Sequence, residues 1–542
     1  MARDLDSDLE LLRTVRAHAE RRDWERAGPL AEQALRDGFE HPLLFNVAAT
    51  RLEQAERFDD AARLLERAVT IAPNDVGVRN ALAMCLQRLD RPAEALSHLD
   101  ELLRQHPELS FAHANRGNAL IALGALGRAR QSHLRALELE PGNFAAMAAL
   151  ASIATHRGEH EEARHWAERA LAVVPGFPDA VLSLAAAELA GGGVARAETL
   201  LRELLADTRA APSDRARAEG LLGDVLDADG RYADAFAAYT KSGEDYRAVH
   251  RRFATGTRAL DYTRELTAAL RRVAPQRWAA RPSPAPNPDG VAGHVFLMGF
   301  PRSGTTLLEV LLDGHPRVAS LEEHELLTEA VLRYMREPID LAPLLEADDA
   351  ELDALRAAYW KRVRDGGADV AGKVFIDKHP LNTLRLPLID RLFPEAKVLF
   401  ARRDPRDVVF GCFRRRFRMN AAMYELLTLQ GAAEFYDAVM GFAEQVRPLL
   451  GLGWHEVRYE SLLADLAQQT RAICEFIGIE WVAGMEDFAS RVSMREHATP
   501  STAQLARGLD RSGAEHWRHY QAQLERVLPT LRYWVDRLGY PA

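Results

Sequence analysis

No apolar stretch in this chain comes near the roughly 18 residues that a membrane-spanning helix requires, so no membrane is expected as a partner. The opening residues, Met-Ala-Arg-Asp-Leu-Asp-Ser-Asp, lack the apolar core of a signal peptide, which makes the cytoplasm the expected location. Cysteine is scarce. Cys85, Cys412 and Cys474 stand far apart without metal-ligand spacing, and their odd number argues against a disulfide scaffold. No metal is expected. Nor is there an excess of basic charge. The 69 basic and 79 acidic residues leave a net charge of −10, which argues against wholesale binding of nucleic acid. Local basic stretches can still hold a small anion. The remainder, 47% hydrophobic and 27% charged, is ordinary for a soluble globular protein. At 542 residues the chain is too long for one core, so two or more domains are expected.

The first half repeats. Pro73, Pro107, Pro141 and Pro175 recur at a step of 34, and so do Ala27, Ala61, Ala95, Ala129, Ala163 and Ala197. Twelve residues before the members from Ala61 to Ala163 stands a second small residue: Ala49, Ala83, Gly117 and Ala151. Two small positions per unit let a pair of antiparallel helices approach closely, and the proline then stops the second helix. The pattern resembles the tetratricopeptide repeat, whose period is 34. Tryptophan is mostly missing from the repeat starts, so the unbroken register carries the assignment. A seventh unit is expected to use Gly223 and Ala235 as its small pair. Such arrays curve into a groove, which suggests a protein or peptide partner or self-association into a homo-oligomer, against the blander reading of a passive spacer. The array is assigned to residues 7–242.

Residues 243–292 read as a helical connector followed by a spacer. Ala-Arg-Pro-Ser-Pro-Ala-Pro-Asn-Pro-Asp-Gly at 280–290 excludes helix and marks a domain boundary. From 293 to 542 short apolar runs alternate with helical stretches. Val295–Met298, Val374–Ile376, Lys397–Ala401 and Trp454–Arg458 read as strands, and 305–314, 350–364, 405–416 and 461–478 as helices. That alternation implies a parallel sheet with helices on both faces and a ligand site at the carboxyl ends of the strands. The fold class is therefore an α-solenoid followed by a P-loop-like α/β domain.

Within that domain, Gly299-Phe300-Pro301-Arg302-Ser303-Gly304-Thr305-Thr306 joins a strand to a helix. A glycine-bearing turn at a helix N-terminus is the geometry of a phosphate cradle. Its spacing is that of a Walker A loop, but Thr305 occupies the lysine position and Arg302 lies inside the turn. The missing lysine points away from nucleoside-triphosphate hydrolysis and towards another phosphate-bearing donor.

Pro301–Thr306 resembles the 5′-phosphosulfate loop of sulfotransferases, and Arg403-Asp404-Pro405-Arg406-Asp407 resembles their 3′-phosphate motif. Asp377-Lys378-His379-Pro380-Leu381-Asn382 and Arg458-Tyr459-Glu460-Ser461-Leu462 match the same family. The order and spacing are similar to the bacterial tetratricopeptide-repeat sulfotransferases and, more distantly, to tyrosylprotein sulfotransferases. The resemblance covers about residues 293–535. It implies transfer of a sulfuryl group from 3′-phosphoadenosine 5′-phosphosulfate (PAPS) to a hydroxyl, without a metal. Such an in-line displacement needs donors on the leaving oxygen and a base at the nucleophile.

The resemblance also implies roles. Arg302 would hold the 5′-phosphate, with Ser303, Gly304, Thr305 and Thr306 as further donors. Lys378 would approach the bridging oxygen. The base falls on Glu323, eight residues after His315. The usual preceding glycine is absent, and Ser320-Leu321-Glu322-Glu323-His324-Glu325 is also readable as a solvated acidic face. Glu322 is an alternative base, as are His324 and His379. A like-charged neighbour would raise the pKa of Glu323, which suits a base. Arg403 would bind the 3′-phosphate. The family serine eight residues later is Gly411 here, so a backbone N–H takes over, Arg414 or Arg415 compensates, or donor affinity falls. Tyr459 matches a nucleotide contact, with a core tyrosine as the alternative. Ser501 would lie near the reacting centre. His516 stands where the family has Lys or Arg, with Arg511 as another candidate phosphate ligand. Two rival functions are a kinase or NTPase, which the missing lysine disfavours, and a repeat adaptor with an inactive nucleotide-binding domain, which Gly411 and His516 favour. The acceptor hydroxyl (tyrosine, sugar or small metabolite) is left open, its pocket expected around 324–345 and 416–436.

Overall fold

The structure, a computed structural model, describes residues 5–279, 287–488 and 513–541. Fourteen α-helices run from Leu5 to Val249 as antiparallel pairs of a tetratricopeptide solenoid. The small positions act as the period requires. Ala27, Ala61, Ala95, Ala129, Ala163 and Ala197 are each fully buried, and Ala49, Ala83, Gly117 and Ala151 are buried opposite them. A side chain no larger than methyl lets two helix backbones close on each other. Pro73, Pro107, Pro141 and Pro175 lie in the turns after the second helix of each pair.

The chain divides into two compact units, residues 1–155 with 159–184, and residues 156–158 with 185–542. In the first, Leu65, Leu82, Leu86 and Leu99 fill the space beside the alanines. The second contains the last repeats, the connector helix Ala259–Arg272 and a five-stranded sheet. The compact unit therefore reaches back well beyond the proline-rich segment at which the sequence pattern changes.

The strands are β1 (Gly293–Met298), β2 (Val318–Glu322), β3 (Val374–Lys378), β4 (Lys397–Arg402) and β5 (Gly453–Arg458). All pairings are parallel, in the order β2-β3-β1-β4-β5. Every residue of β3, and all of β1 after Gly293, is buried, as expected of parallel strands covered on both faces. Val295 and Leu297 pack with Leu307, Leu311 and Ile473 from the helices Thr305–Leu312 and Leu466–Ile477. His294 and Phe296, pointing the other way, meet Tyr359 of the helix Asp349–Asp365.

β2 was not among the expected strands. Its sequence, Val-Ala-Ser-Leu-Glu, is short and half polar, and it occupies a sheet edge where only β3 pairs with it. The expected helix 461–478 is two helices, Tyr459–Ala464 and Leu466–Ile477. Asp465 separates them by capping the second, its carboxylate accepting from the Gln468 N–H at 2.9 Å. No described helix is long and apolar enough to cross a membrane.

Candidate active site

The carboxyl ends of β1 to β4, and the start of the helix after β5, bring the motifs to one edge of the sheet. The turn after β1 is fixed from two sides. The Gly299 N–H donates to Pro380 O at 3.1 Å, and the Thr383 hydroxyl donates to Gly299 O at 2.7 Å. Gly304 caps the helix Thr305–Leu312 at φ +103, and a Cβ there would lie 2.7 Å from the Tyr459 ring. Both facts demand glycine. No side chain among the described residues caps this helix, which leaves its first N–H groups open to an anion. The Ser303 hydroxyl is buried at the turn and has no hydrogen-bond partner among the described residues. The turn is largely buried, while Arg302 and Gly304 keep partial exposure.

Arg302 has φ +68, and burial followed by the charges of Arg415, Arg403 and Arg414 pushes its pKa down to about 9. Three further guanidinium groups thus surround this turn, a field that favours an anion. The only described non-glycine residues with positive φ beyond the repeats are Arg302, Glu323 and Glu515, all at this edge. Backbone strain of this kind collects at functional sites.

Arg403, after β4, lies with its guanidinium 4.5 Å from the Tyr459 ring centre and donates to Arg302 O at 3.3 Å. Arg302, Arg403, Asp407, Phe410, Gly411, Arg414, Gly513 and His516 line one narrow cavity. Asp407 accepts from the N–H groups of Glu515 at 2.7 Å and Trp517 at 2.9 Å, anchoring the turn that carries His516.

On the other side of the turn, Lys378 at the end of β3 is fully buried. Its Nζ donates to Glu323 Oε1 at 3.0 Å and Glu322 Oε1 at 3.2 Å, and lies 3.4 Å from Glu309 Oε2. Burial alone would lower its pKa, but the three carboxylates raise it. Glu323 follows β2, whose register sets Glu322 beside Lys378. Among the described residues no group of His, Cys, Asp and Glu has the arrangement of a metal site.

A model of the sulfotransferase family matches residues 294–483, and a tetratricopeptide-repeat model matches residues 52–115. The chain carries a sulfotransferase-family domain. Protein-tyrosine sulfotransferase 2 of Gallus gallus is 28% identical over 193 residues, 34% of this chain and 51% of that protein. An uncharacterized protein of Aquifex aeolicus (strain VF5) is 26% identical over 422 residues, 75% of this chain and 52% of its own length. The chain thus spans about half the length of these relatives. A solved tetratricopeptide-repeat protein from Parabacteroides merdae ATCC 43184 aligns at TM-score 0.37 and 19% identity, over 44% of this chain and 93% of that one.

In the sulfotransferase domain, the structure gathers Arg302, Ser303, Gly304, Thr305, Thr306, Arg403, Gly411, Tyr459 and His516 around one turn and cavity, with Glu323 and Lys378 in mutual contact beside the turn. Ser501 and Arg511 lie outside the described residues. Three expectations need correction. Glu323 does not have a raised pKa: burial pushes it up, but Lys378 and His379 outweigh burial and hold it below the ordinary value. The acidic stretch is solvated in part: Glu323 and Glu325 stay exposed while pairing with Lys378 and with His379 and Arg385, and Glu322 turns in to Lys378. The Gly411 N–H is committed to the helix Pro405–Phe413, so it cannot replace the serine hydroxyl. Arg415 pairs with Asp224 at 2.7 Å, and Arg414 borders the cavity instead. Of the other basic residues, Arg406 is a bidentate partner of Asp404, and Arg402 pairs with Glu456 at 3.0 Å. His324 Nδ1 faces Glu322 O at 2.9 Å.

Glu309 was missed. It is fully buried on the loop helix, where Ser320 donates to it at 3.1 Å. A single charge inside Leu-Leu-Glu-Val-Leu-Leu was the available signal, since a buried charge needs a partner.

Proposed function

We propose that this protein is a PAPS-dependent sulfotransferase that transfers a sulfuryl group to an acceptor hydroxyl. The observation that carries the reading is the juxtaposition of an anion-ready turn at Arg302–Thr306 with the Glu323–Lys378 pair, inside a domain matched by the family model. Turn N–H groups, the Ser303 hydroxyl and Arg302 would hold the donor's 5′-phosphosulfate. Arg403, Arg414 and His516 would hold its 3′-phosphate. Glu323 would take the acceptor proton, and Lys378 would turn from the carboxylate to the leaving oxygen as charge grows there. In the resting arrangement the base is ionised and already paired. Donor binding that draws Lys378 away would raise its basicity when the acceptor arrives.

The named relatives point to a tyrosine hydroxyl as the first acceptor to test, with the repeats presenting a peptide. Three unpaired thiols suit a reducing compartment such as the cytoplasm. The experiment is mass spectrometry of an acceptor panel incubated with labelled PAPS. Product gaining one sulfate is expected, and Glu323→Gln should lose most of the rate. Lys378→Ala should lose roughly 3 kcal/mol of barrier stabilisation. A Glu323→Gln enzyme as fast as the wild type removes the base assignment. Arg302→Ala that still binds adenosine 3′,5′-bisphosphate normally removes the donor site. The second reading is an adaptor with an inactive domain, favoured by the three carboxylates that hold Lys378. Intact nucleotide binding with no transfer across the panel would select it.

A further inference from the structure

The phosphate end of the cavity is not built by the sulfotransferase domain alone. Asp224 and Asp227 lie one turn apart on the repeat helix Pro212–Ala228, within the same compact unit. Asp227 Oδ1 accepts from His516 Nε2 at 3.0 Å and from the Tyr520 hydroxyl. Its Oδ2 lies 3.4 Å from Arg414 Nη1. Asp224 Oδ2 accepts from Arg415 Nη1 at 2.7 Å, and its Oδ1 accepts from the Tyr239 hydroxyl at 2.8 Å. Arg414, His516 and Asp227 are each less than one-fifth exposed. Arg414 and His516 border the cavity, whereas Asp227 does not.

We infer that Asp227 is a positioning residue of the donor site, through which the last repeat holds Arg414 and His516 where the donor's 3′-phosphate binds. The inference rests on the donor reading above. The groups facing this point are Arg302, Arg403, Arg414, Arg415 and His516, with Asp224, Asp227 and Asp407 as their countercharges. Two effects of the Asp227 carboxylate compete. It repels an incoming phosphate, and it orders the Arg414 and His516 side chains that would meet one. Ordering prevails because the carboxylate sits behind those two side chains, which separate it from the cavity. His516 Nε2 lies 3.0 Å from Asp227 Oδ1 and 3.2 Å from Arg414 Nη1, so the carboxylate and the guanidinium together fix the orientation of the ring. Burial would raise the Asp227 pKa, but His516, Tyr520 and Arg414 hold it below the ordinary value, so the anchor is charged at neutral pH.

Calorimetry on the full chain tests this with adenosine 3′,5′-bisphosphate and adenosine 5′-monophosphate, which differ only in the phosphate concerned. Asp227→Asn should lose about tenfold in affinity for the bisphosphate and little for the monophosphate. In that background His516→Lys, a cation that needs no ring orientation, should recover part of the loss. A selectivity ratio that stays the same or rises in Asp227→Asn overturns the inference. Should that variant not fold, Tyr520→Phe carries the same test, with a smaller fall of about threefold expected and an unchanged ratio again overturning it. Wild-type protein that binds neither nucleotide overturns the donor reading itself, and this inference with it.

Discussion

Gly411, like His516, is a position where one side chain separates this site from the pattern of the family it resembles. It borders the cavity, and a Cβ added there would rest 3.7 Å from the Arg302 side chain, an ordinary contact. Gly411→Ser should therefore fit, gain helix propensity and offer a hydroxyl to the phosphate. Binding of adenosine 3′,5′-bisphosphate should tighten by roughly 3- to 10-fold, read by calorimetry. Weaker binding would mean the cavity is not the phosphate site. Glu323 gives a pH prediction. Its pKa is depressed by Lys378 and His379 against burial, so the free enzyme keeps an ionised base down through the ordinary carboxylate range. The acid limb of kcat/KM, which reports the free enzyme, should lie below the ordinary glutamate value of 4.5. Lys378→Met removes the main depressing charge and leaves burial, so the limb of the residual activity should move to higher pH. A limb that stays in place would separate Glu323 from the rate. Residue identities around Arg302, Glu323, Lys378 and Arg403 were legible because local motifs mark them. Their electrostatic state was not, because it depends on Lys378 and His379, which are more than 50 residues from Glu323 in sequence.

Among elements, the repeat helices were the most legible, since one small residue per helix at a fixed step leaves a periodic trace that β2 does not. The seventh repeat pair was expected from Gly223 and Ala235, and both are buried. Gly223 shows what the trace means. In an exposed helix Gly→Ala stabilises by up to about 1 kcal/mol. Here an added Cβ would stand 2.4 Å from the ring of Tyr239, which is fully buried and tied to Asp224. The ring has nowhere to go, and overpacking costs about 1–3 kcal/mol. Gly223→Ala should therefore lower stability. Gly441, inside the helix Leu429–Val446, has nothing within 4 Å of the same added atom, so Gly441→Ala should raise it. Urea denaturation of the two variants reads the opposite signs. Equal shifts would show that helix propensity, not contact, sets both.

For the molecule as a whole, composition marks a boundary at the prolines of 280–290, yet compactness does not break there. Arg258 makes two hydrogen bonds, at 3.1 and 2.6 Å, to Glu425, which is 1% exposed. Arg416 donates to Ser242 at 2.9 Å and to Tyr239 O at 2.8 Å. These partners are more than 160 residues apart in sequence, so no pattern within either segment could announce them. They predict different fates for two truncations. A chain of residues 178–542 keeps every one of these contacts and should melt cooperatively and retain nucleotide binding. A chain of residues 291–542, the domain that composition alone would excise, loses Arg258, Asp224 and Asp227 together. Glu425 would then be a buried carboxylate without its guanidinium, a defect worth about 3–5 kcal/mol. Arg414, Arg415 and His516 would lose their carboxylates in the same cut. Thermal melting by circular dichroism and calorimetry with adenosine 3′,5′-bisphosphate should show the shorter chain unstable and unable to bind. If it folds and binds as well as residues 178–542, the last repeats are passengers, and the sulfotransferase domain ends where its composition says it does.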